Sequence, residues 1–264
     1  MDKKFVNKIP KAFTISKIEQ ENYRVKTFHF IESLPSQPGQ FAMVWLPGVD
    51  EKPMSINSAF PFSISFASVG TFSKALSNLN VGDKVGVSGP FGTSFPFKGK
   101  RVLLVGGGYG VVPLRFFAEE ARRKGIICEA IIGAKNKKDI IFDKRFEKEG
   151  CKVHISTDDG SMGFKGTAVE LAEKLLKEQK FDEIYSCGPE MMMFHLSKLG
   201  KKLKIPTYVS AERFMKCAIG ICGACTLGGQ MCCRDGTVMN SDIPLATEDF
   251  GKFHRDKSGK KVKY

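Results

Sequence analysis

Five of the eight cysteines in this 264-residue chain fall between positions 217 and 233: Cys217, Cys222, Cys225, Cys232 and Cys233. The first three are spaced C-x4-C-x2-C, the plant-type spacing for a [2Fe–2S] cluster, which is completed by a fourth cysteine further along. Gly220 and Gly223 suit that chemistry. A short loop that turns several sulfurs inward must visit φ > 0 and bring backbone N–H groups close to sulfide. The fourth ligand is then Cys232 or Cys233, and the other is a plain small side chain. Structural zinc competes, because it also takes four thiolates, usually from two C-x2–4-C knuckles. Here one pair lies too close to the next cysteine to make two separate knuckles.

Five further groups of residues have the chemistry to hold nucleotides. Val102-Leu103-Leu104-Val105-Gly106-Gly107-Gly108-Tyr109-Gly110 reads as a strand and a glycine turn, followed by a helix with Pro113 at its first position. Such a turn lets backbone approach a pyrophosphate, with a helix N-terminus supplying partial positive charge. It is not G-x-G-x-x-G, because Val111 stands where the last glycine would fall. In Lys52-Pro53-Met54-Ser55, Ser55 can offer a hydroxyl to a flavin edge and Lys52 a charge to a phosphate. Gly70, Thr71 and Ser73 precede the apolar pattern Ala75, Leu76, Leu79, where an N-cap and an anion site coincide. Cys187-Gly188-Pro189 ends another strand and faces the crevice where open α/β sheets bind ligands. Asp158 or Asp159 can bond a ribose hydroxyl, while Lys135, Lys137 and Lys138 can meet a 2′-phosphate, so NAD and NADP both stay open. The four histidines fall in no motif.

These groups need two kinds of scaffold. Apolar residues alternate over 13–18, 28–30 and 62–66, with turn signals at 35–39, 47–48 and 81–83, as expected of a small antiparallel barrel with one face buried and the other polar. After residue 99 continuous apolar strands (102–105, 129–133, 153–156, 183–186) alternate with helical patterns (113–124, 168–180, 190–203), as in a parallel α/β sheet. The expected division is a barrel over 1–99, an α/β dinucleotide-binding domain over 100–208, a cluster segment over 209–250 and a basic flexible tail over 251–264. From Ser210 onward the pattern is too irregular to hold itself by packing, so a metal centre is expected to organise it.

Composition narrows the classes. The net charge of +13 raises a nucleic-acid reading, but no basic stripe is interleaved with stacking aromatics. Six Lys/Arg lie in the stretch 252–264 alone, a solvated tail on this reading. The start MDKKFVNKIPKAF has no apolar run long enough for a signal peptide, and nothing approaches a transmembrane span of about 18 apolar residues. Clustered cysteines without a secretion signal indicate metal or redox use in the cytoplasm.

Taken in order, these motifs resemble the ferredoxin reductase family, which pairs an FAD-binding barrel with a nicotinamide-dinucleotide domain. Its flavin motif R-x-Y-S corresponds to Lys52-Pro53-Met54-Ser55, with lysine for arginine and methionine for tyrosine, so the bidentate fork and the aromatic stacking are absent. Gly70, Thr71 and Ser73 match its flavin-pyrophosphate segment; Gly106, Gly107, Gly108 and Gly110 match its dinucleotide turn, and Cys187, Gly188 and Pro189 its nicotinamide segment. The chain is most similar to the group that serves dihydroorotate dehydrogenase B as electron-transfer subunits, through Thr157-Asp158-Asp159-Gly160-Ser161, Arg213-Phe214-Met215-Lys216-Cys217 and Cys233-Arg234-Asp235-Gly236. Thr237 departs from the proline usual there. This resemblance selects Cys233 as fourth ligand beside Cys217, Cys222 and Cys225, puts Cys187 near the nicotinamide, and implies FAD, [2Fe–2S] and NAD as acceptor. It also implies a cytoplasmic heterotetramer with an FMN-containing catalytic subunit, in pyrimidine biosynthesis. Electrons would arrive singly at the cluster and leave as hydride through FAD. No catalytic residue is assigned. The alternatives are a reductase subunit of a cytoplasmic hydrogenase or a ferredoxin–NAD(P) oxidoreductase, and, in a different class, a basic zinc module on nucleic acid.

Overall fold

The computed structural model describes residues 9–256 and 258–264. Most of the charged start read against a signal peptide lies outside them. Six antiparallel strands, β1 (Lys11–Gln20), β2 (Val25–Phe30), β3 (Phe41–Leu46), β4 (Asp50–Ala59), β5 (Phe62–Ala67) and β6 (Lys84–Phe91), close into a barrel in the order β1-β2-β5-β4-β3-β6. A short helix, α1 (Thr71–Ser77), joins β5 to β6. The two-residue period brings Phe13, Ile15, Phe28, Phe30, Phe62 and Ile64 into one buried cluster. The polar face expected on β5 is also covered, since every residue of that strand is buried. Its serines are satisfied locally: Ser65 Oγ lies 2.8 Å from Thr27 Oγ1, and Ser63 Oγ accepts from Asn57 at 3.2 Å.

The α/β part comprises β7 (Arg101–Gly107), α2 (Val111–Arg123), β8 (Ile127–Ala134), α3 (Asp143–Lys148), β9 (Lys152–Thr157), β10 (Phe164–Lys165), α4 (Ala168–Glu178), β11 (Glu183–Cys187), α5 (Glu190–Leu203) and β12 (Thr207–Ser210). The cysteine-rich stretch adds β13 (Thr226–Leu227), β14 (Gln230–Met231), β15 (Val238–Asn240) and α6 (Asp242–Leu245), and a hairpin of β16 (Phe253–Arg255) and β17 (Lys261–Lys263) follows. One seven-stranded sheet runs β10-β9-β8-β7-β11-β12-β15, parallel until β15 pairs antiparallel with β12. Val102 to Val105 are each 0% exposed because α2 packs Leu114, Phe117 and Ala118 on one face and α4 and α5 pack Leu171, Leu175 and Leu196 on the other. Burial of that order stabilises by about 1.5–3 kcal/mol per side chain. The barrel and the parallel sheet expected from sequence are both present.

The structure corrects two expectations. Pro113 is the third residue of α2, not the first, and is tolerated because the N–H groups of the whole first turn lack partners inside the helix. The described residues of the stretch expected as a flexible tail include the β16–β17 hairpin; Lys261 bonds Asp249 at 3.0 Å and Tyr264 donates its hydroxyl proton to Glu190 at 2.7 Å. No described helix is long and apolar enough to cross a membrane.

Polar bonds tie the barrel to the α/β part. Arg115 of α2 donates to the Asn57 carbonyl at 2.6 Å, Arg24 pairs with Asp139 at 2.7 Å, and Arg145 of α3 with Glu19 at 2.5 Å.

Candidate functional site

The strand order reverses between β7 and β11: β8 and β9 lie outward of β7 on one side, β11 and β12 on the other. Ligands of open α/β sheets bind beyond the carboxyl ends of strands at such a reversal. Gly106 and Cys187 stand opposite each other there, in register. Their turns are pressed together. A Cβ on Gly110 would lie 2.0 Å from the Cys187 carbonyl oxygen, and one on Gly188 2.8 Å from the Gly107 backbone. A Cβ on Gly106 would meet Val111 at 2.6 Å, and one on Gly107 would meet Pro189 at 2.7 Å. Gly108 alone, at φ +54, faces open space. Gly107 and Gly110 therefore serve the approach of the two βα turns, Gly106 admits Val111 of its own turn, and Gly108 marks the side open to a ligand. Gly110→Ala is expected to cost about 3 kcal/mol, the upper end for overpacking, and to lower the melting midpoint by roughly 10 °C. Gly108→Ala adds only left-handed strain, about 1 kcal/mol. Thermal melts of the two variants check this; equal midpoints would contradict it.

The Cys187 thiol is pushed up to about 12 by burial and by the Glu212 carboxylate, so it is a neutral thiol at physiological pH. Asp158 and Asp159 follow β9, two strands from the reversal. Asp159 Oδ1 accepts from the Ser161 N–H at 2.9 Å, and Ser161 holds that carboxyl below its usual range. The Lys137 N–H donates to Ser161 Oγ at 2.8 Å, and the Asp159 N–H to the Lys135 carbonyl at 3.3 Å. The acidic and basic candidates for the ribose end thus share one turn-on-turn contact.

Lys52, Pro53, Met54 and Ser55 lie within β4, a strand the sequence reading left out because a proline interrupts it. Met54 packs against the barrel core, while Ser55 is exposed on the opposite face. Lys52 pairs with Asp50 at 2.5 Å and has its Nζ 6.0 Å from the centre of the Phe214 ring. Gly70 caps α1 in extended conformation, Thr71 is exposed, and Ser73 lies inside the helix with its Oγ accepting from the N–H groups of Val69 and Gly70 at 3.0 and 2.9 Å.

The cysteines come together as two pairs. Cys222 acts on the Cys217 thiol and Cys233 on the Cys225 thiol, each lowering its partner's pKa. Backbone N–H groups point at sulfur as the loop reading requires: Gly220 to Cys233 Sγ at 3.2 Å, and Cys233 to Cys225 Sγ at 3.4 Å. Gly220 and Gly223 have φ +78 and +71, and Ala218, which sequence gave no reason to suspect, has φ +59. The Cys233 thiol lowers its partner Cys225 to about 6. Burial opposes ionisation of Cys217, but the N–H groups of Cys222, Ile219 and Ile221 bring it to about 7. Among the described residues no three His, Cys, Asp or Glu converge closely enough to hold a metal ion. The donor set still fits a thiolate-held cluster: four sulfurs in one loop, with backbone N–H groups aimed at two of them. Cys232 is 0% exposed, in the same buried cluster as Cys225 and Cys233, and burial pushes its thiol up to about 12.

The cysteine segment meets the barrel wall: Met215, Ala218, Cys225, Cys232 and Cys233 share one buried cluster with Phe41 and Met43 of β3. Phe41 and Met43 pair directly across the sheet with Ser55 and Pro53 of β4. Phe214, three residues before Cys217, reaches Lys52, and Glu212 acts on Cys187. Phe214 and Glu212 were missed as contacts because each depends on two segments far apart in sequence.

No family model matches the chain. It is 46% identical, over 97% of its length and 99% of the relative's, to a Methanocaldococcus jannaschii protein described as a probable dihydroorotate dehydrogenase B (NAD+), electron transfer subunit. A Methanothermobacter thermautotrophicus protein of the same description is 39% identical over 96% of this chain and 97% of its own. Among solved structures, an NADH-dependent reduced ferredoxin–NADP oxidoreductase superposes with a TM-score of 0.79 and 27% identity, over 87% of this chain and 88% of the other. The FAD/NAD-binding domain of a Vibrio cholerae nitric oxide dioxygenase shares the fold, with a TM-score of 0.65 and 20% identity over 75% of this chain and 94% of the other. With a fold common to FAD/NAD reductases and whole-length relatives of one description, the chain belongs to the family of electron-transfer subunits of NAD+-dependent dihydroorotate dehydrogenase B.

Proposed function

We propose that this chain carries electrons from the FMN of a dihydroorotate-oxidising partner to NAD+, with FAD on the barrel and a [2Fe–2S] cluster on Cys217, Cys222, Cys225 and Cys233. When bound, the cluster takes single electrons, the flavin converts between one and two, and nicotinamide accepts hydride. The observation that supports this reading is the meeting of two candidate sites: the cysteine segment shares a buried cluster with Phe41 and Met43, whose cross-strand partners are Ser55 and Pro53 of the flavin strand. Ser55 presents a hydroxyl towards the flavin, and Lys52, paired with Asp50, reaches Phe214 at the edge of the site. Gly70 and Thr71 open α1 to its phosphates, and Gly108 gives the dinucleotide room. Cys187, kept neutral, shapes the nicotinamide side without competing as a nucleophile. Cys222, exposed beside Ile221 at 72% exposure, is the edge a partner's redox centre can approach. The assembly is a heterotetramer of two chains of each kind, acting in the cytoplasm in pyrimidine biosynthesis, and NAD rather than NADP is the acceptor.

Purified alone, the chain should reduce dyes with NADH and leave dihydroorotate untouched, since the dihydroorotate site belongs to the partner. Robust dihydroorotate oxidation by the isolated chain would overturn the assignment. The likeness to the ferredoxin–NADP oxidoreductase, over 87% of this chain, favours a second reading in which the partner is a different electron-transfer subunit. Co-purification distinguishes them: an FMN protein for the first, a multi-cluster subunit for the second.

A further inference from the structure

Beneath the β16–β17 hairpin lies an ion pair that none of the motifs uses. Glu190, the first residue of α5, follows directly on Cys187-Gly188-Pro189, and Arg213 stands four residues before Cys217. Their side chains are 4% and 1% exposed. The guanidinium grips the carboxylate with two nitrogens: NH1 bonds Oε2, and NH2 bonds Oε1 at 3.0 Å. Two further donors complete the carboxylate, the Gly251 N–H to Oε1 at 2.8 Å and the Tyr264 hydroxyl to Oε2 at 2.7 Å. Both come from the stretch around the hairpin. The Tyr264 oxygen also accepts from Arg213 NH1 at 3.3 Å, and its ring centre lies 4.8 Å from that of His254. Lys261 anchors the second strand to Asp249 at 3.0 Å. The ion pair links the turn after β11 to the stretch leading into Cys217, and Cys232 lies within electrostatic range of both charges.

We propose that Tyr264 is a positioning residue. Its hydroxyl closes the Glu190–Arg213 pair from the solvent side, so the hairpin clasps the cysteine segment to α5. A buried ion pair needs its remaining lone pairs and protons satisfied, and Tyr264 and Gly251 supply what Arg213 leaves open on Glu190. Without the clasp the segment opens locally while the sheet and barrel stay folded. This inference rests on the geometry of the pair and does not require that the cysteines hold a cluster.

The test is alkylation of the full, folded chain with iodoacetamide under anaerobic conditions, read cysteine by cysteine by mass spectrometry, for wild type, Tyr264→Phe and a deletion of 252–264. Cys128 and Cys151, buried in the other core, report global unfolding. The expected result is that Cys232 reacts about tenfold faster in Tyr264→Phe, equivalent to ~1.4 kcal/mol and on the scale of one hydrogen bond to a charged group. It should react faster still in the deletion, with Cys128 and Cys151 at wild-type rates. Unchanged Cys232 labelling in Tyr264→Phe would overturn the proposal, and so would equal acceleration at all three cysteines. Should the deletion fail to fold, Tyr264→Phe alone decides. Labelling of Cys233 separately reports whether the ligand assignment holds.

Discussion

Cys233→Ser should give a chain that still binds flavin but lacks the iron–sulfur absorbance and the electron paramagnetic signal on reduction expected of the wild type, whereas Cys232→Ser should keep both. The adjacent thiols differ in their partners. Cys233 Sγ receives the Gly220 N–H, and its thiol lowers that of Cys225. Cys232 is 0% exposed, and burial pushes its thiol up to about 12. Serine at Cys217, Cys222 or Cys225 should match Cys233→Ser, with dihydroorotate-dependent NAD+ reduction by the complex falling to background while NADH-dependent dye reduction through the flavin survives. Cys232→Ser places a hydroxyl in an apolar site and should cost about 1–3 kcal/mol of stability without loss of colour. Paired visible and paramagnetic spectra of the five variants check the contrast; loss of the cluster in Cys232→Ser would move the fourth ligand one residue upstream.

Glu190→Ala should be among the most damaging substitutions outside the cysteines. It leaves the Arg213 guanidinium, 1% exposed, buried without its counter-ion. Burial opposes that charge, and the Glu190 carboxylate is the main group that outweighs it, which keeps the guanidinium pKa above its usual value. Removing one member of such a pair costs about 3–5 kcal/mol, whereas replacing both with apolar groups of similar volume is often neutral. The double variant Glu190→Leu/Arg213→Met should therefore recover most of the stability lost by Glu190→Ala. Denaturant midpoints for the single and double variants measure this. A single variant as stable as wild type would show that the pair is not closed as described.

What sequence made legible follows from the range of the interactions involved. The barrel could be read from β1, β2 and β5, where large apolar residues alternate with polar ones, and the parallel sheet from the run Val102–Leu103–Leu104–Val105. β3 and β4 were hidden: Phe41–Leu46 is apolar at nearly every position, and Pro53 breaks the pattern of its strand. The positive φ values of Gly220 and Gly223 were anticipated from loop chemistry, but that of Ala218 was not, because alanine gives no local signal of it. The glycine turn was read correctly as a turn. That Gly110 is there to admit the Cys187 carbonyl depends on a strand some eighty residues on, and no local pattern carries that information. The same holds for the hairpin, whose lysines look like a solvated tail until Tyr264 is seen to meet Glu190 across the fold. Local rules reveal elements and loop chemistry; contacts between distant segments decide how those elements form a site.

The most direct measurement is quantification of flavin, iron, acid-labile sulfide and zinc in the chain purified anaerobically, with its visible spectrum before and after NADH. A relay chain contains FAD together with iron and sulfide in equal amounts, and its flavin bands bleach on addition of NADH. A colourless chain that holds zinc and lacks both sulfide and flavin would contradict it.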